Sequence, residues 1–205
     1  FGIDGNSFPR KKRFFFFFQA GRTANTLWLS NEVGHNQTAA KEVKKIFDEE
    51  KIFDFPKPVD FIKQMLQLTT QSEDIILDFF AGSATTAQAV MQLNKEDSGN
   101  RKYILVQMPE LCDEKSEAYK AGYKTIADIA KERIRRAGKK IQDETDAENK
   151  KKKSQLAFEE TSEIAVDTGF KMFKLAESNF KQWQQPKNNN TEELVEQMKL
   201  FIDPV

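Results

Sequence analysis

Residues 75–90 read IILDFFAGSATTAQAV: a short apolar run, a turn of small residues, and then apolar positions at helical spacing. An uninterrupted apolar run of this length is typical of a strand buried on both faces, as in a parallel sheet. A second run of this kind occupies 103–108 and ends before Pro109. Strand, glycine turn, helix and strand in this order predict a βαβ unit, and therefore an α/β fold with a parallel strand pair.

Helices are predicted on both sides of this unit. Apolar residues recur at helical spacing over 38–50 and again from Val59, where Pro58 suits a first turn. A long helix is predicted from about Lys124 to Gln142, and its final turns carry the basic residues of 133–140, here called the basic cluster. We interpret the basic cluster as a solvated helix end that complements the helix dipole, with a phosphate clamp as the alternative.

The outer segments differ in composition from this central part. Five phenylalanines at 14–18 predict a buried strand. Residues 143–155 have almost no apolar content and predict a linker. Residues 156–205 predict a smaller α+β unit, with a strand at 170–175 and a capping box of Asn190 and Glu193 before a last helix.

Composition restricts the class of protein. The chain has 205 residues, of which 32 are basic, 32 are acidic and 39% are hydrophobic. These values exclude collagen-like, membrane-spanning and fully disordered classes. A single cysteine, Cys112, cannot form an internal disulfide, so a reducing, cytoplasmic setting is expected. Because the chain begins at Phe1 without a signal-peptide pattern, we expect it to be a piece of a longer protein.

The turn after the first strand is the candidate ligand site. In open α/β sheets, ligands bind beyond the carboxyl ends of the strands, where small residues let the backbone approach them. The turn lacks the Gly-Lys-Ser/Thr of a phosphate loop and the three glycines of a dinucleotide site. An uncharged ribose or an amino-acid-like ligand suits it better, and a plain structural turn is the alternative.

Several segments together resemble one protein family. Residues 76–90 look like motif I of S-adenosylmethionine-dependent DNA amino-methyltransferases, above all the modification subunits of type III restriction-modification systems. Further blocks match in the same order: 34–39 and 53–58 (motif X, which precedes motif I in the β-type arrangement), 100–110 (the second strand), 114–124, 134–138 and 169–180. The resemblance implies that 38–142 form the cofactor-binding half of a Rossmann-like methyltransferase domain, and 1–37 the end of a target-recognition region.

The resemblance also implies a set of cofactor-binding residues. Those around the methionine part of S-adenosylmethionine would be Asp78, Phe80, Ala81, Gly82 and Ser83. Closure of the pocket from the motif X side would fall to Pro56, Lys57 and Pro58. Gln107 stands where many members have an acid that binds the ribose hydroxyls, and Ala84 stands where the wider family has glycine. If that position needs a positive φ, alanine costs about 1 kcal/mol there.

The implied reaction is methyl transfer from S-adenosylmethionine to the N6 amine of adenine in a specific duplex DNA site. Subunits of this kind form homodimers and associate with an ATP-dependent restriction subunit. The Asp-Pro-Pro-Tyr segment that binds the flipped adenine does not occur in this sequence. The family's circular order would place it upstream, so we assign no catalytic residue here. The alternatives are a non-catalytic piece that binds DNA or a partner through the basic cluster and Lys150 to Lys153, or an inactive remnant of a truncated gene.

Four other residues are assigned structural roles. His35 is the only histidine, so it cannot form a histidine cluster for metal or catalysis, and we expect it to make a structural hydrogen bond. Cys112 has no metal-ligand spacing and is expected to be inert. Trp28 and Trp183 lie outside basic stretches, so we interpret them as packing anchors rather than platforms for bases.

Overall fold

The computed structural model describes residues 27–155 and 164–176, together with residues 25, 191, 194, 195 and 198. One compact unit comprises Phe1–Gly169 and a second comprises Phe170–Val205. The predicted strand at 14–18, Trp183 and the capping box of Asn190 and Glu193 lie outside the described residues.

The predicted βαβ unit is present in the first compact unit. Its elements are α1 (Ser30–Val33), α2 (Asn36–Ile46), α3 (Val59–Thr69), β1 (Ile75–Asp78), α4 (Thr85–Asp97), β2 (Lys102–Leu105), α5 (Glu117–Lys120) and α6 (Ile126–Gln155). β1 and β2 pair in parallel, with Leu77 opposite Ile104, and α4 connects them. The prediction of an α/β fold is therefore confirmed as a mixed helix and strand architecture with a small parallel sheet.

The core lies between the helices and one face of this sheet. α4 packs against α3, α6 and β2. Because these neighbours cover it on several sides, α4 is buried along most of its length. Ile76 and Tyr103 point into this core from the two strands. The Tyr103 hydroxyl is buried without a hydrogen-bond partner among the described residues, and burial raises its pKa to about 12.

The opposite face of the sheet is exposed, which corrects the prediction of strands buried on both faces. Leu77 and Ile104, which are neighbours across the strand pair, are 52% and 53% exposed. Ile75 is exposed on the same face. In the part of the chain that the structure describes, helices cover only the face that carries Ile76 and Tyr103. The sequence of a strand shows that the strand is apolar, but it does not show whether other elements cover both of its faces.

The helix α6 continues through the segment that was predicted to be a linker. The helix was expected to end at Gln142, but it extends to Gln155. Polar tertiary contacts hold this extension: Lys95 of α4 forms ion pairs with Glu144 (3.5 Å) and Glu148 (2.7 Å). The side chain of Asn149 also exchanges two hydrogen bonds with the backbone of Ile164, at 2.9 and 3.1 Å.

The strand predicted at 170–175 is not formed, since these residues have no regular secondary structure. Phe173 and Leu175 are almost fully exposed there. A strand needs a neighbour to receive its backbone hydrogen bonds, and none of the described residues of the second unit provides one. None of the helices in the described ranges has both the length and the low polarity that a bilayer span requires.

Candidate functional site

Asp78 organises the turn that follows β1. It is the last residue of the strand, and both oxygens of its carboxylate accept hydrogen bonds from the turn itself. Oδ1 accepts from the Phe80 amide at 3.0 Å, and Oδ2 accepts from the Thr86 hydroxyl at 2.6 Å. The carboxylate therefore connects the end of the strand to the first turn of α4. Each oxygen keeps a second lone pair that a ligand can use.

Gln107, two residues after the end of β2, fixes the same turn. Its Oε1 atom accepts a hydrogen bond from the Gly82 amide at 2.7 Å, and its Nε2 atom donates to the Met108 carbonyl at 3.3 Å. Gly82 has φ +52, a left-handed value that favours glycine. The residue predicted to contact a ribose thus already holds the glycine of the turn, and its NH2 group has a second hydrogen to donate.

Ala84 lies at the junction of the turn and α4. Its backbone is left-handed, with φ 61 and ψ 40, and its methyl group is completely buried. Position 84 therefore does need a positive φ, and alanine costs about 1 kcal/mol there relative to glycine. The apolar contacts of the buried methyl group offset part of that cost.

Arg133 of α6 contacts the turn from the buried side, a placement that sequence reasoning missed. It is 0% exposed, and its Nη1 atom donates to Ser83 Oγ at 2.6 Å and to Thr85 Oγ1 at 2.8 Å. Its Nε and Nη2 atoms donate to Gln88 Oε1 at 3.1 and 3.0 Å. The interpretation of the basic cluster as a solvated helix end is wrong, because α6 continues well beyond it. A signal was available: position 133 falls on the apolar face that also carries Ala130 and Ala137.

The motif X segment contacts the start of α4. The Thr85 hydroxyl donates to the Lys57 carbonyl at 3.3 Å. Pro56 and Pro58 are buried, whereas the Lys57 side chain is exposed. Gly34, with φ +77, lies so close to Pro58 that an added Cβ would be 3.0 Å from the Pro58 Cβ atom. The structure therefore brings the predicted motif X residues to the edge of the turn.

The predicted site residues divide into an accessible group and a buried group. Phe80 is 89% exposed, and Asp78, Gly82 and Gln107 are partly exposed. Ala81 and Ser83 are buried, and the Ser83 hydroxyl faces Arg133. The accessible surface of the turn thus offers an aromatic ring, a carboxylate, a carboxamide and the backbone of Gly82.

A comparison with known protein families identifies the chain. The family model described as DNA methylase (N6/N4 methyltransferases) matches residues 9–124, more than half of the sequence. The chain belongs to this DNA methylase family. The family match includes the motif X segment, the turn and both strands, which are the parts brought together around Asp78.

Individual members of the family are similar over long stretches. The Type III restriction-modification enzyme StyLTI Mod subunit of Salmonella typhimurium is 38% identical over 149 residues, which cover 73% of this chain and 22% of the relative. The EcoPI Mod subunit of Escherichia phage P1 is 36% identical over 137 residues, 67% of this chain and 21% of the relative. The Type II methyltransferase M.KpnI of Klebsiella pneumoniae is 38% identical over 109 residues, 53% of this chain and 26% of the relative. The chain spans about a fifth of the length of its type III relatives.

The remaining candidates have structural roles within the DNA methylase fold. His35 caps α2, since its Nδ1 atom accepts from the Thr38 amide at 3.1 Å, which confirms the expected structural hydrogen bond. Trp28 packs edge-on against Phe61 with the ring centroids 5.8 Å apart, as expected of a packing anchor. Burial raises the pKa of the Cys112 thiol, which disfavours the reactive thiolate.

Proposed function

We propose that this chain is the cofactor-binding part of a site-specific adenine-N6 DNA methyltransferase of the type III restriction-modification class. Its cofactor would be S-adenosylmethionine, and its methyl acceptor would be adenine in duplex DNA. The observation that carries the proposal is the turn at the carboxyl end of β1, fixed by Asp78 and Gln107, in a chain of the DNA methylase family.

The donor set of the turn fits S-adenosylmethionine. The cofactor has an ammonium group, which needs acceptors, ribose hydroxyl groups, which both donate and accept, and a carboxylate, which needs donors such as the N–H groups of a helix N-terminus. Asp78 offers free lone pairs, Gln107 offers a free N–H, and α4 begins at Thr85 directly after the turn. The exposed Phe80 ring supplies apolar surface beside these groups. No phosphate-binding chemistry is needed, which agrees with the absence of a lysine in the turn.

Each side chain would then have a defined task. Bound S-adenosylmethionine supplies an activated methyl group on a sulfonium. Asp78 and Gln107 would hold the turn in the shape that receives the cofactor and would add hydrogen bonds to it. Phe80, Gly82 and the backbone of Ala81 would line the methionine part, with Ser83 supporting them from the buried side. Pro56, Lys57 and Pro58 would close the pocket from the motif X side, where Lys57 already contacts Thr85.

The type III assignment is supported by the extent of similarity. Two type III Mod subunits match over 149 and 137 residues, while a third type III Mod subunit and the type II methyltransferase each match over 109 residues. By analogy with proteins named as subunits of restriction-modification enzymes, we propose duplex DNA, a restriction subunit and a second modification subunit as partners. The proposed location is the cytoplasm, where such DNA lies.

We further propose that another polypeptide segment supplies the adenine-binding motif. The sequence contains no Asp-Pro-Pro-Tyr segment. Parallel sheets are almost always covered on both faces, yet Leu77 and Ile104 leave one face of this sheet apolar and exposed. In the described residues the sheet has two strands and an uncovered apolar face, which is consistent with one part of a larger methyltransferase domain.

The alternative of a DNA-backbone-binding piece has less support. Within the basic cluster, Arg133 is buried and Arg136 forms ion pairs with Asp48 and Glu132, both at 2.6 Å. Arg135 also pairs with Glu132. Burial removes Arg133 from the surface, and the ion pairs neutralise much of the charge of Arg135 and Arg136 that phosphate binding would require.

Equilibrium dialysis of the purified chain against tritiated S-adenosylmethionine, followed by incubation with duplex DNA, tests the proposal. We expect saturable retention of the cofactor, competition by S-adenosylhomocysteine and not by ATP, and no label in the DNA. Failure of a cooperatively folded chain to retain the cofactor would contradict the cofactor assignment. Labelled DNA from the chain alone would contradict the proposal that another segment supplies the adenine-binding motif.

A further inference from the structure

The guanidinium of Arg133 contacts the residues on either side of Ala84. Its Nη1 atom donates to the hydroxyls of Ser83 and Thr85, and at 3.4 Å to the Ser83 carbonyl. Ala84 between them has the left-handed backbone that alanine adopts only at a cost. One buried side chain therefore bonds to the residues before and after Ala84, the strained residue of the turn.

All hydrogen bonds that Arg133 makes in the described part of the chain go to uncharged acceptors. Burial lowers the pKa of Arg133 to about 10, and the charge of Glu42 raises it by less than burial lowers it. Burying a cation without a bonded carboxylate is unfavourable, and apolar replacements of buried charges are often neutral or stabilising. Simple packing between α6 and α4 therefore does not require an arginine at this position.

We propose that Arg133 is a positioning residue that holds Ala84, between Ser83 and Thr85, in its left-handed conformation and thereby maintains affinity for S-adenosylmethionine. The second half of this inference rests on the proposed function. Gln107 fixes the outer side of the turn through Gly82, and Arg133 fixes the inner side. Without Arg133, Ala84 relaxes toward a right-handed or extended backbone. That change would move the Gly82 amide and the first turn of α4 away from the positions that receive the cofactor.

Two variants of the whole chain separate positioning from packing. Arg133→Met has similar volume and no charge, so it keeps the packing and removes all the hydrogen bonds to the turn. Arg135→Met is the matched control, because Arg135 lies on the same helix with its side chain 72% exposed and, among the described residues, its side chain bonds to Glu132 alone. Arg133→Lys serves as a second test variant if the methionine variant does not fold, since lysine keeps the charge but not the fork of donors.

Amide hydrogen exchange gives a readout that does not depend on the cofactor. We expect exchange at residues 82–86 to become at least tenfold faster in Arg133→Met, while the rest of α4 and the Arg135→Met control stay within threefold of the parent chain. Calorimetry should show S-adenosylmethionine affinity at least tenfold weaker in Arg133→Met and unchanged in the control.

The Ala84→Gly substitution tests whether Arg133 acts through the turn. Glycine adopts the left-handed backbone without the alanine penalty, so it should restore affinity at least threefold in the Arg133→Met background and change it less than twofold in the parent chain. Equal effects in both backgrounds would overturn the proposal. Unchanged exchange at residues 82–86 in a folded Arg133 variant would also overturn it, as would altered exchange with unaltered affinity. If the parent chain does not bind the cofactor, the proposed function fails, and the exchange data alone decide the conformational part.

Discussion

Replacing Ala84 by glycine should leave the stability of the protein almost unchanged, although it removes a fully buried methyl group. Loss of the buried methyl group destabilises by about 0.8 kcal/mol. Release of the left-handed alanine penalty stabilises by about 1 kcal/mol, because glycine adopts positive φ freely. The two effects nearly cancel, so the free energy of unfolding should change by less than about 1 kcal/mol.

Ala87 supplies the matched control, since it is also 0% exposed but lies within the helix α4. Ala87→Gly loses the same methyl group and adds the helix penalty of glycine, for a total of about 2 kcal/mol. Urea unfolding followed by circular dichroism measures both variants. The free energies of unfolding of the two variants should differ by about 2 kcal/mol. Ala84→Gly removes the cost of a left-handed alanine, whereas Ala87→Gly adds the cost of glycine in a helix. Equal losses for the two variants would refute the assignment of a strained backbone to Ala84.

Three further predictions concern Gln107, Asp128 and Lys95. Gln107→Leu removes the acceptor of the Gly82 amide and should weaken S-adenosylmethionine binding about tenfold in equilibrium dialysis, whereas Gln107→Glu retains most of the affinity. Hydrogen bonds from Lys131 and then from Thr125 lower the pKa of Asp128 from 3.8, so this carboxylate stabilises the fold above that pH and the contribution is lost as pH falls through the lowered value. The melting temperature of Asp128→Asn should therefore fall less steeply than that of the parent chain below about pH 4. Lys95→Met removes the ion pairs with Glu144 and Glu148, and it should change stability by less than about 1 kcal/mol while accelerating amide exchange in residues 143–155.

The local order of elements around the turn was predictable from the sequence, because it depends on short-range patterns. The apolar run at 75–78, the small residues after it and the helical spacing from Thr85 each restrict the backbone locally. The energetic cost of alanine at position 84 was also predictable for the case of a positive φ, since that cost depends only on the presence of a Cβ atom.

The tertiary features were not predictable, because they depend on residues that are distant in sequence. Arg133 was grouped with neighbouring basic residues, although it bonds to a turn about fifty positions earlier. The helix α6 continues past Gln142 into a polar segment that has no hydrophobic periodicity. Contacts with Lys95 and Ile164 stabilise the helix there. The exposed face of β1 and β2 has the same apolar sequence that a covered face would have.

The most direct test of the central claim is calorimetric titration of the chain with S-adenosylmethionine, with Asp78→Ala and Asp74→Ala in parallel. Asp78→Ala removes the bonds to the Phe80 amide and the Thr86 hydroxyl, whereas Asp74 lies just before the opposite end of β1 and bonds to the Gln71 amide. The account predicts saturable binding that Asp78→Ala abolishes and Asp74→Ala leaves intact. Binding that is absent in the folded parent chain, or that survives Asp78→Ala at full affinity, would contradict it.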